Sequence, residues 1–439
     1  MLGILHLNSQ FYPLPFPSFA LLFIRMPSLR EQLSVPEFHS EAQKQEYLQA
    51  LFNGEVKVLM SGGMGAGFTE ENFCGAMSEA GHIGTYSAAI PGWRLGQEAQ
   101  EFQTVGNLRE RNAEAIERAS NYLRERYEFA VKNSNFMELL PSYKQSRGEV
   151  VRNGAFDILS VGAGMDSELP ADMAEANAEL QKEEPKRTLR YMPIVSSVLA
   201  AKIYHKKYAN SGNSPDSLRP PDGYYLELPI DKRGNTAGGH LGAKKTKDPN
   251  PDDFDPEVIL AGIRKFDETS PVILAGGIAY RDQIKAALDM GFAGVSMGTR
   301  YLLTQESGMS NERIKDMYLN PDVGMLLDQN SPTGYWSSRL DVPHTERTIE
   351  LIREAIGGCV DCVGDICEFR SNWKDTEDTH YCIYRDLIKA RLGKEVGIYF
   401  SGGQIIVMRH DDRYRNDGQI YIPTVEEITE YSLTHDAPE

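Results

Sequence analysis

Four glycine-bearing turns and one histidine carry the chemical signal of this sequence. The first turn is Ser61-Gly62-Gly63-Met64-Gly65-Ala66-Gly67, directly after the apolar run Val56–Met60. Glycines there let the backbone take positive φ and come close to a flat ligand. The second is Ala275-Gly276-Gly277-Ile278, between Val272–Ala275 and the helical pattern Arg281–Met290. A strand, two glycines and a helix is an arrangement that offers free N–H groups to phosphate. The third, Met297-Gly298-Thr299-Arg300, comes one strand–helix unit later. The last, Thr236-Ala237-Gly238-Gly239-His240-Leu241-Gly242, places an imidazole between glycines. A histidine so flanked faces a ligand more readily than a core. Its ordinary pKa of about 6.5 suits proton abstraction near neutrality. For each turn the competing reading is an ordinary tight turn.

Other chemistries find no pattern. There is no HExxH, no GxSxG elbow, no GxxxxGK[ST], and no GxGxxG followed by a suitably placed acid. His82, His205, His344, His380 and His410 lack a comparable context and are expected to be structural or exposed. Cys74 lies in the helical pattern Glu71–Glu79 and is expected in the core. Cys359-x2-Cys362-x4-Cys367-x14-Cys382 has the look of a thiolate metal site, for zinc or an iron–sulfur cluster. The spacing matches no strong pattern, and buried thiols that act as small hydrophobes are the favoured reading. The odd total of five cysteines argues for a reducing, cytoplasmic setting over a disulfide scaffold.

These residues need a scaffold that brings distant turns together. Eight β-rich runs alternate with helical stretches. The runs are Val56–Met60, Ile83–Tyr86, Tyr127–Val131, Asp157–Val161, Arg190–Val195, Tyr224–Leu228, Val272–Ala275 and Gly294–Met297. The helices include Asn107–Glu125, Pro170–Gln181 and Arg281–Met290. Several runs are apolar throughout, as strands covered on both faces are. The alternation predicts a (β/α)8 TIM barrel, with a doubly wound sheet as the alternative. In a barrel, phosphate often sits between the loops after strands seven and eight. The Gly276-Gly277 and Gly298-Thr299 turns fall there.

The barrel is expected over residues 26–340 and a C-terminal, helical, Cys-containing extension near its mouth over 341–439. Translation is expected to start at Met26, with Ser28 as a helix N-cap, and residues 1–25 to be a disordered tail or not part of the protein. The apolar run Phe19–Ile24 is too short for a membrane span. A formal net charge of −17 argues against nucleic-acid or anionic-membrane partners.

Taken together, Ser61–Gly67, Gly162–Pro170 (GAGMDSELP), Pro193–Lys202, Ala237–Gly242, Pro271–Ala279 and Gly294–Ser307 resemble the nitronate monooxygenase (2-nitropropane dioxygenase) family, which includes FMN-dependent enoyl-ACP reductases. The likeness runs from about residue 55 to 340, with a weaker echo of a bacterial subgroup's tail from Tyr381 to Gly403. It implies FMN at the C-terminal mouth of the strands. By the same resemblance Gly63 and Met64 lie against the flavin, and Gly238 and Gly239 line the pocket. Gly276, Gly277, Gly298 and Thr299 hold the phosphate, and His240 is the catalytic base. The implied reaction is oxidation of nitronates or nitroalkanes by O2 to a carbonyl compound and nitrite. Alternatives are an NAD(P)H-dependent enoyl-thioester reductase, which meets acyl carrier protein, and a non-catalytic flavin-binding subunit. Two departures stand out. Pro229–Asn235 lengthens the link before His240, and the family's asparagine after strand three is matched only loosely by Lys132 or Asn133.

Overall fold

The computed structural model describes residues 27–65, 67–87, 108–126, 135–139, 156–162, 169–183, 187–210, 220–231, 236–238, 250–328, 336–342, 347–348, 379–380, 383–392 and 397–438. Two N-terminal helices, α1 (Leu29–Leu33) and α2 (Glu41–Phe52), precede the sheet. Ser28 caps α1 with a capping box to Glu31. Then strands and helices alternate. They are β1 (Val58–Ser61), α3 (Glu71–Glu79), β2 (Thr85–Ser87), α4 (Leu108–Arg126), β3 (Asn135–Leu139), β4 (Phe156–Val161), α5 (Leu169–Glu183) and β5 (Arg190–Val195). α6 (Val198–Asn210), β6 (Tyr224–Glu227), α7 (Pro256–Arg264), β7 (Val272–Ala275), α8 (Arg281–Asp289), β8 (Gly294–Met297) and the single turn α9 (Thr299–Leu302) follow.

The eight strands form one sheet in the order β1-β8-β7-β6-β5-β4-β3-β2, with every pair parallel. From β3 onward each strand neighbours its predecessor, and the last pairs with the first. A doubly wound sheet would instead reverse direction at a switch point. The sheet curls until its ends meet. Met60 and Ile83 form a parallel bridge, and the Thr85 N–H donates to Ser61 Oγ at 2.8 Å. The fold is therefore α/β and barrel-like. Strand three is Asn135–Leu139 and not the expected Tyr127–Val131, which lies outside the described residues. Both segments are short and apolar, and periodicity alone could not choose between them.

Alternation along the strands sorts side chains into two cores. Val58, Met60, Ile158, Met192, Tyr225, Ile273 and Ala275 belong to the inner cluster. Leu48, Leu51 and Phe52 of α2 join them, so that helix stoppers the N-terminal end of the sheet. Leu59, Leu159, Val161, Tyr224, Leu226, Val272, Leu274, Val295 and Met297 point outward into the cluster shared with the surrounding helices. Lys44 of α2 reaches the fully buried Asp157 at 2.9 Å and ties the stopper to β4.

Beyond β8 the chain returns over the sheet. β9 (Gly324–Asp328) and β10 (Ser337–Asp341) form an antiparallel pair. Helices α10 (Ile383–Leu392), α11 (Ile405–Met408) and α12 (Val425–Thr434) follow, and α12 packs on α1, α3, α8 and α9. Its anchor is Arg300, 0% exposed. The guanidinium pairs with Asp411 at 2.9 Å and donates to Ser432 Oγ at 3.2 Å. It lies over the rings of Tyr280, Tyr414 and Tyr431 at 4.6, 5.3 and 5.3 Å. Burial opposes its charge, but Tyr414, Tyr280 and Asp411 more than offset that, so its pKa is raised. Among the described residues no helix is long and apolar enough to cross a membrane.

Two predictions follow from this packing. Asp411→Ala leaves a buried guanidinium without its carboxylate and should cost about 3–5 kcal/mol in denaturant unfolding. His82, 2% exposed, is held down to about 4 by burial, against the upward pull of its hydrogen bond to the Leu33 backbone. A depressed histidine pKa favours the fold above the unfolded value of about 6.5, and that stability is lost as pH falls towards 4. In His82→Gln, the drop in unfolding free energy from pH 7 to pH 4 should shrink by about 3 kcal/mol.

Candidate active site

The C-terminal ends of β1, β6, β7 and β8 converge. At β1, the Gly62 N–H donates to Met297 O at 2.9 Å. A Cβ on Gly62 would lie 3.4 Å from the Gly298 Cα, so the first and last turns touch glycine to glycine. The loop is braced from within by Thr69. Its Oγ1 accepts from the Met64 N–H at 3.0 Å and donates to Met64 O at 3.2 Å. It is braced from outside by Arg391 of α10, which donates to Gly67 O and pairs with Glu70 at 2.7 Å. Burial lowers the Arg391 pKa to about 10. Gly63 and Met64 remain half-buried at the edge of the site.

After β6 the long link folds back on itself. Ile230 and Thr236 form an antiparallel bridge, the Ala237 N–H donates to Pro229 O, and the Gly238 N–H donates to Leu228 O, both at 2.9 Å. This pairing of Pro229–Asp231 with Thr236–Gly238, the arm, returns Ala237 and Gly238 to the strand ends. β7 then meets the arm. Gly276 and Gly277 take φ of +89° and +72°. The Gly277 N–H donates to Ala237 O at 2.9 Å. A Cβ on Gly276 would sit 2.8 Å from Leu228 O and 3.2 Å from the Gly238 nitrogen. At β8, a Cβ on Gly298 would meet nothing within 4 Å among the described residues, so these leave an open space beside that turn.

Gly63, Met64, Gly238, Gly276, Gly277, Gly298 and Thr299 therefore share one end of the sheet. Gly239 and His240 lie outside the described residues, as do Cys359, Cys362, Cys367 and Cys382. Among the described residues no group of three or more His, Cys, Asp or Glu could hold a metal. Cys74 is fully buried in α3, where burial raises its thiol well above the usual range. His205 is a packing residue, its Nδ1 2.9 Å from Tyr224 OH and its ring edge-on to Phe266.

At the α8 N-terminus three donors are already used. The Ala279 and Tyr280 N–H groups donate to Gln283 Oε1 at 2.8 and 3.2 Å, and the Arg281 N–H donates to His435 O at 2.9 Å. Fewer donors are left to an anion there than the sequence pattern suggests. Arg300 brings no charge to it either, since Asp411 already takes that guanidinium. Three features escaped the sequence reading: the grip of Arg391, the arm Ile230–Thr236, and the contact of Gly402 with Thr299, whose Oγ1 accepts the Gly402 N–H at 2.9 Å. The pair Gly402-Gly403 was the visible signal for the last.

A cavity of about 380 Å³ sits at the other end, lined by Phe52, Arg190, His205, Asp222 and Asp267 among others. Barrel enzymes react at the C-terminal ends of their strands, so this hole beside the α2 stopper is not the reaction site.

The family model for nitronate monooxygenase matches residues 47–334, which takes in all eight strands and the four turns. The chain belongs to the nitronate monooxygenase family. It is a flavin-dependent oxidoreductase. No protein of curated function matches it. Among solved structures it is similar to the enoyl reductase domain of MlnA from the macrolactin biosynthesis cluster of Bacillus amyloliquefaciens. There the TM-score is 0.51 at 14% identity, covering 90% of this chain and 96% of that one. FabK from Thermotoga maritima gives 0.49 at 18%, covering 85% and 91%. Nitroalkane oxidase from Streptomyces ansochromogenes gives 0.46 at 16%, covering 86% and 94%. At such identities the likeness speaks to fold alone.

The crowding at β7 in this nitronate monooxygenase family member is testable. Gly81 has φ +82° with nothing within 4 Å of an added Cβ, so Gly81→Ala should cost about 1 kcal/mol for its backbone conformation. Gly276→Ala adds a backbone clash and should cost clearly more, by about 1–3 kcal/mol, in the same denaturant titration.

Proposed function

We propose that the protein is an FMN-dependent nitronate monooxygenase on a (β/α)8 barrel, with His240 as its base and residues 341–439 as an extension packed at the mouth. The observation that carries this reading is the gathering of the glycine turns of β1, β6, β7 and β8 at one end of the sheet, with two of them touching at Gly62 and Gly298. The fit to FMN is one of shape and donors. Gly63 and Met64 would face the flavin, and Gly238 and Gly239 would line the pocket beside it. Gly298 and Thr299, with the turn at Gly276 and Gly277, would surround the phosphate. Gly277 serves there as a bend, its N–H being used by Ala237.

When bound, FMN supplies the redox chemistry that no side chain has. The protein's residues supply position and a proton path. Gly238, two residues before His240, is back at the strand ends, and this supports the choice of His240 as the base. For a neutral nitroalkane, His240 takes the α-proton. For a nitronate that arrives deprotonated, the imidazole N–H donates a hydrogen bond to it. The products are a carbonyl compound and nitrite, with O2 consumed. General base help of this kind is worth roughly 10²–10⁴ in rate.

His240→Asn should retain flavin and lose most turnover of neutral nitroalkanes while nitronates remain better substrates; unchanged nitroalkane turnover would remove His240 from the mechanism. The same scaffold suits an NAD(P)H-dependent enoyl-thioester reductase, the activity named for the MlnA domain whose fold it shares. Anaerobic NADH separates the two. A flavin absorbance that persists for minutes favours the monooxygenase, and rapid bleaching favours the reductase.

A further inference from the structure

The family match ends at residue 334, yet the turns of the site are gripped by residues well beyond it. Ser401-Gly402-Gly403 runs as a strap across the arm and the β8 turn. Its backbone is pressed onto the arm so closely that only glycine fits. A Cβ on Gly402 would lie 2.3 Å from Ala237 O, and one on Gly403 2.4 Å from Thr236 O. The Gly403 N–H donates to Thr236 O at 3.1 Å, and the Gly402 N–H donates to Thr299 Oγ1 at 2.9 Å. The strap is fixed at both ends. Upstream, the Leu340 N–H donates to Tyr399 O at 2.8 Å, Tyr318 OH donates to Phe400 O at 2.9 Å, and the Ser401 N–H donates to Ser338 O at 3.1 Å. Downstream, Asp411 holds Arg300, the residue after Thr299.

A threonine hydroxyl has one proton to give and two lone pairs. Gly402 occupies a lone pair of Thr299, so the proton must point elsewhere. No acceptor for it is found among the described residues, and the neighbouring Gly298 borders the open space. We propose that Gly402 is a positioning residue: it sets the Thr299 hydroxyl as a donor to the cofactor's phosphate, and so makes the C-terminal strap a determinant of preference for FMN over riboflavin. This rests on the FMN reading above. It assigns part of the cofactor site to a segment outside the family match.

The test is fluorescence titration of the flavin-stripped, full-length protein with FMN and with riboflavin. The native chain should prefer FMN. Thr299→Val removes the donor at nearly constant volume and should weaken FMN roughly ten- to hundredfold while leaving riboflavin almost unchanged. Thr299→Ser should restore the preference. Gly402→Ala, pushed off Ala237, should lose the preference as Thr299→Val does. A folded Gly402→Ala with the native FMN-to-riboflavin ratio overturns the proposal, as does a proportional loss of both affinities, which marks a merely structural role. If Gly402→Ala does not fold, amide exchange at Gly402 in the native chain decides. Slowing by FMN beyond that by riboflavin supports the proposal, and equal slowing overturns it. A native chain that binds neither flavin defeats the FMN reading itself; one that prefers FMN without help from Gly402 defeats only this inference.

Discussion

The buried pair of Arg300 and Asp411 is the constraint on which the rest of this structure depends. A guanidinium with no exposure costs several kcal/mol in lost hydration unless it is paired and hydrogen-bonded. Here the compensation comes from a carboxylate, a serine hydroxyl and three tyrosine rings, and most of these belong to the chain's last segment. Such a pair adds little net stability over an apolar replacement, but it tolerates no other register. It fixes α12 against α8 and α9, and with them the turns after β7 and β8.

The two ends of the sheet are closed by opposite means. At the N-terminal end, α2 inserts Leu48, Leu51 and Phe52 into the inner core, a sealing by apolar contact. At the C-terminal end the contacts are backbone to backbone: arm to β6, arm to β7, strap to arm. Glycine permits such approach at Gly276, Gly402 and Gly403, and it does so at the sealed end too, where Gly223 lies against Pro271 O and Gly294 against Val58 O. Among the described residues of these turns, the main chain stays uncovered beside Gly298.

Much of this was legible in the sequence. β5, β7 and β8 were read to the residue, because apolar runs bounded by turn residues have few alternatives. The glycine turns after β1, β7 and β8 were equally plain in the sequence, and they do share one end of the sheet. What was hidden is long-range. Strand three was expected at Tyr127–Val131 and lies at Asn135–Leu139, since pairing with β2 and β4, which no local pattern shows, decides it. The Gly276-Gly277-helix pattern suggested open donors at α8, and only the fold shows Gln283 and His435 taking them. Arg300 looked like part of a phosphate motif, and nothing local announces a counter-ion 111 residues away. The link before His240 reads as lengthened, and the bridge of Ile230 with Thr236 explains how it still returns Ala237 to β7; His240 itself lies outside the described residues.

That separation also sets an order of events in the cell. A ribosome adds roughly 5–20 residues each second, so about 6–22 s pass between the synthesis of Arg300 and that of Asp411, 111 residues on. Through that interval the guanidinium has no carboxylate and must stay hydrated. The turn after β8 is therefore unfinished until Asp411 has been made, and a shorter nascent chain lacks the anchor that sets it.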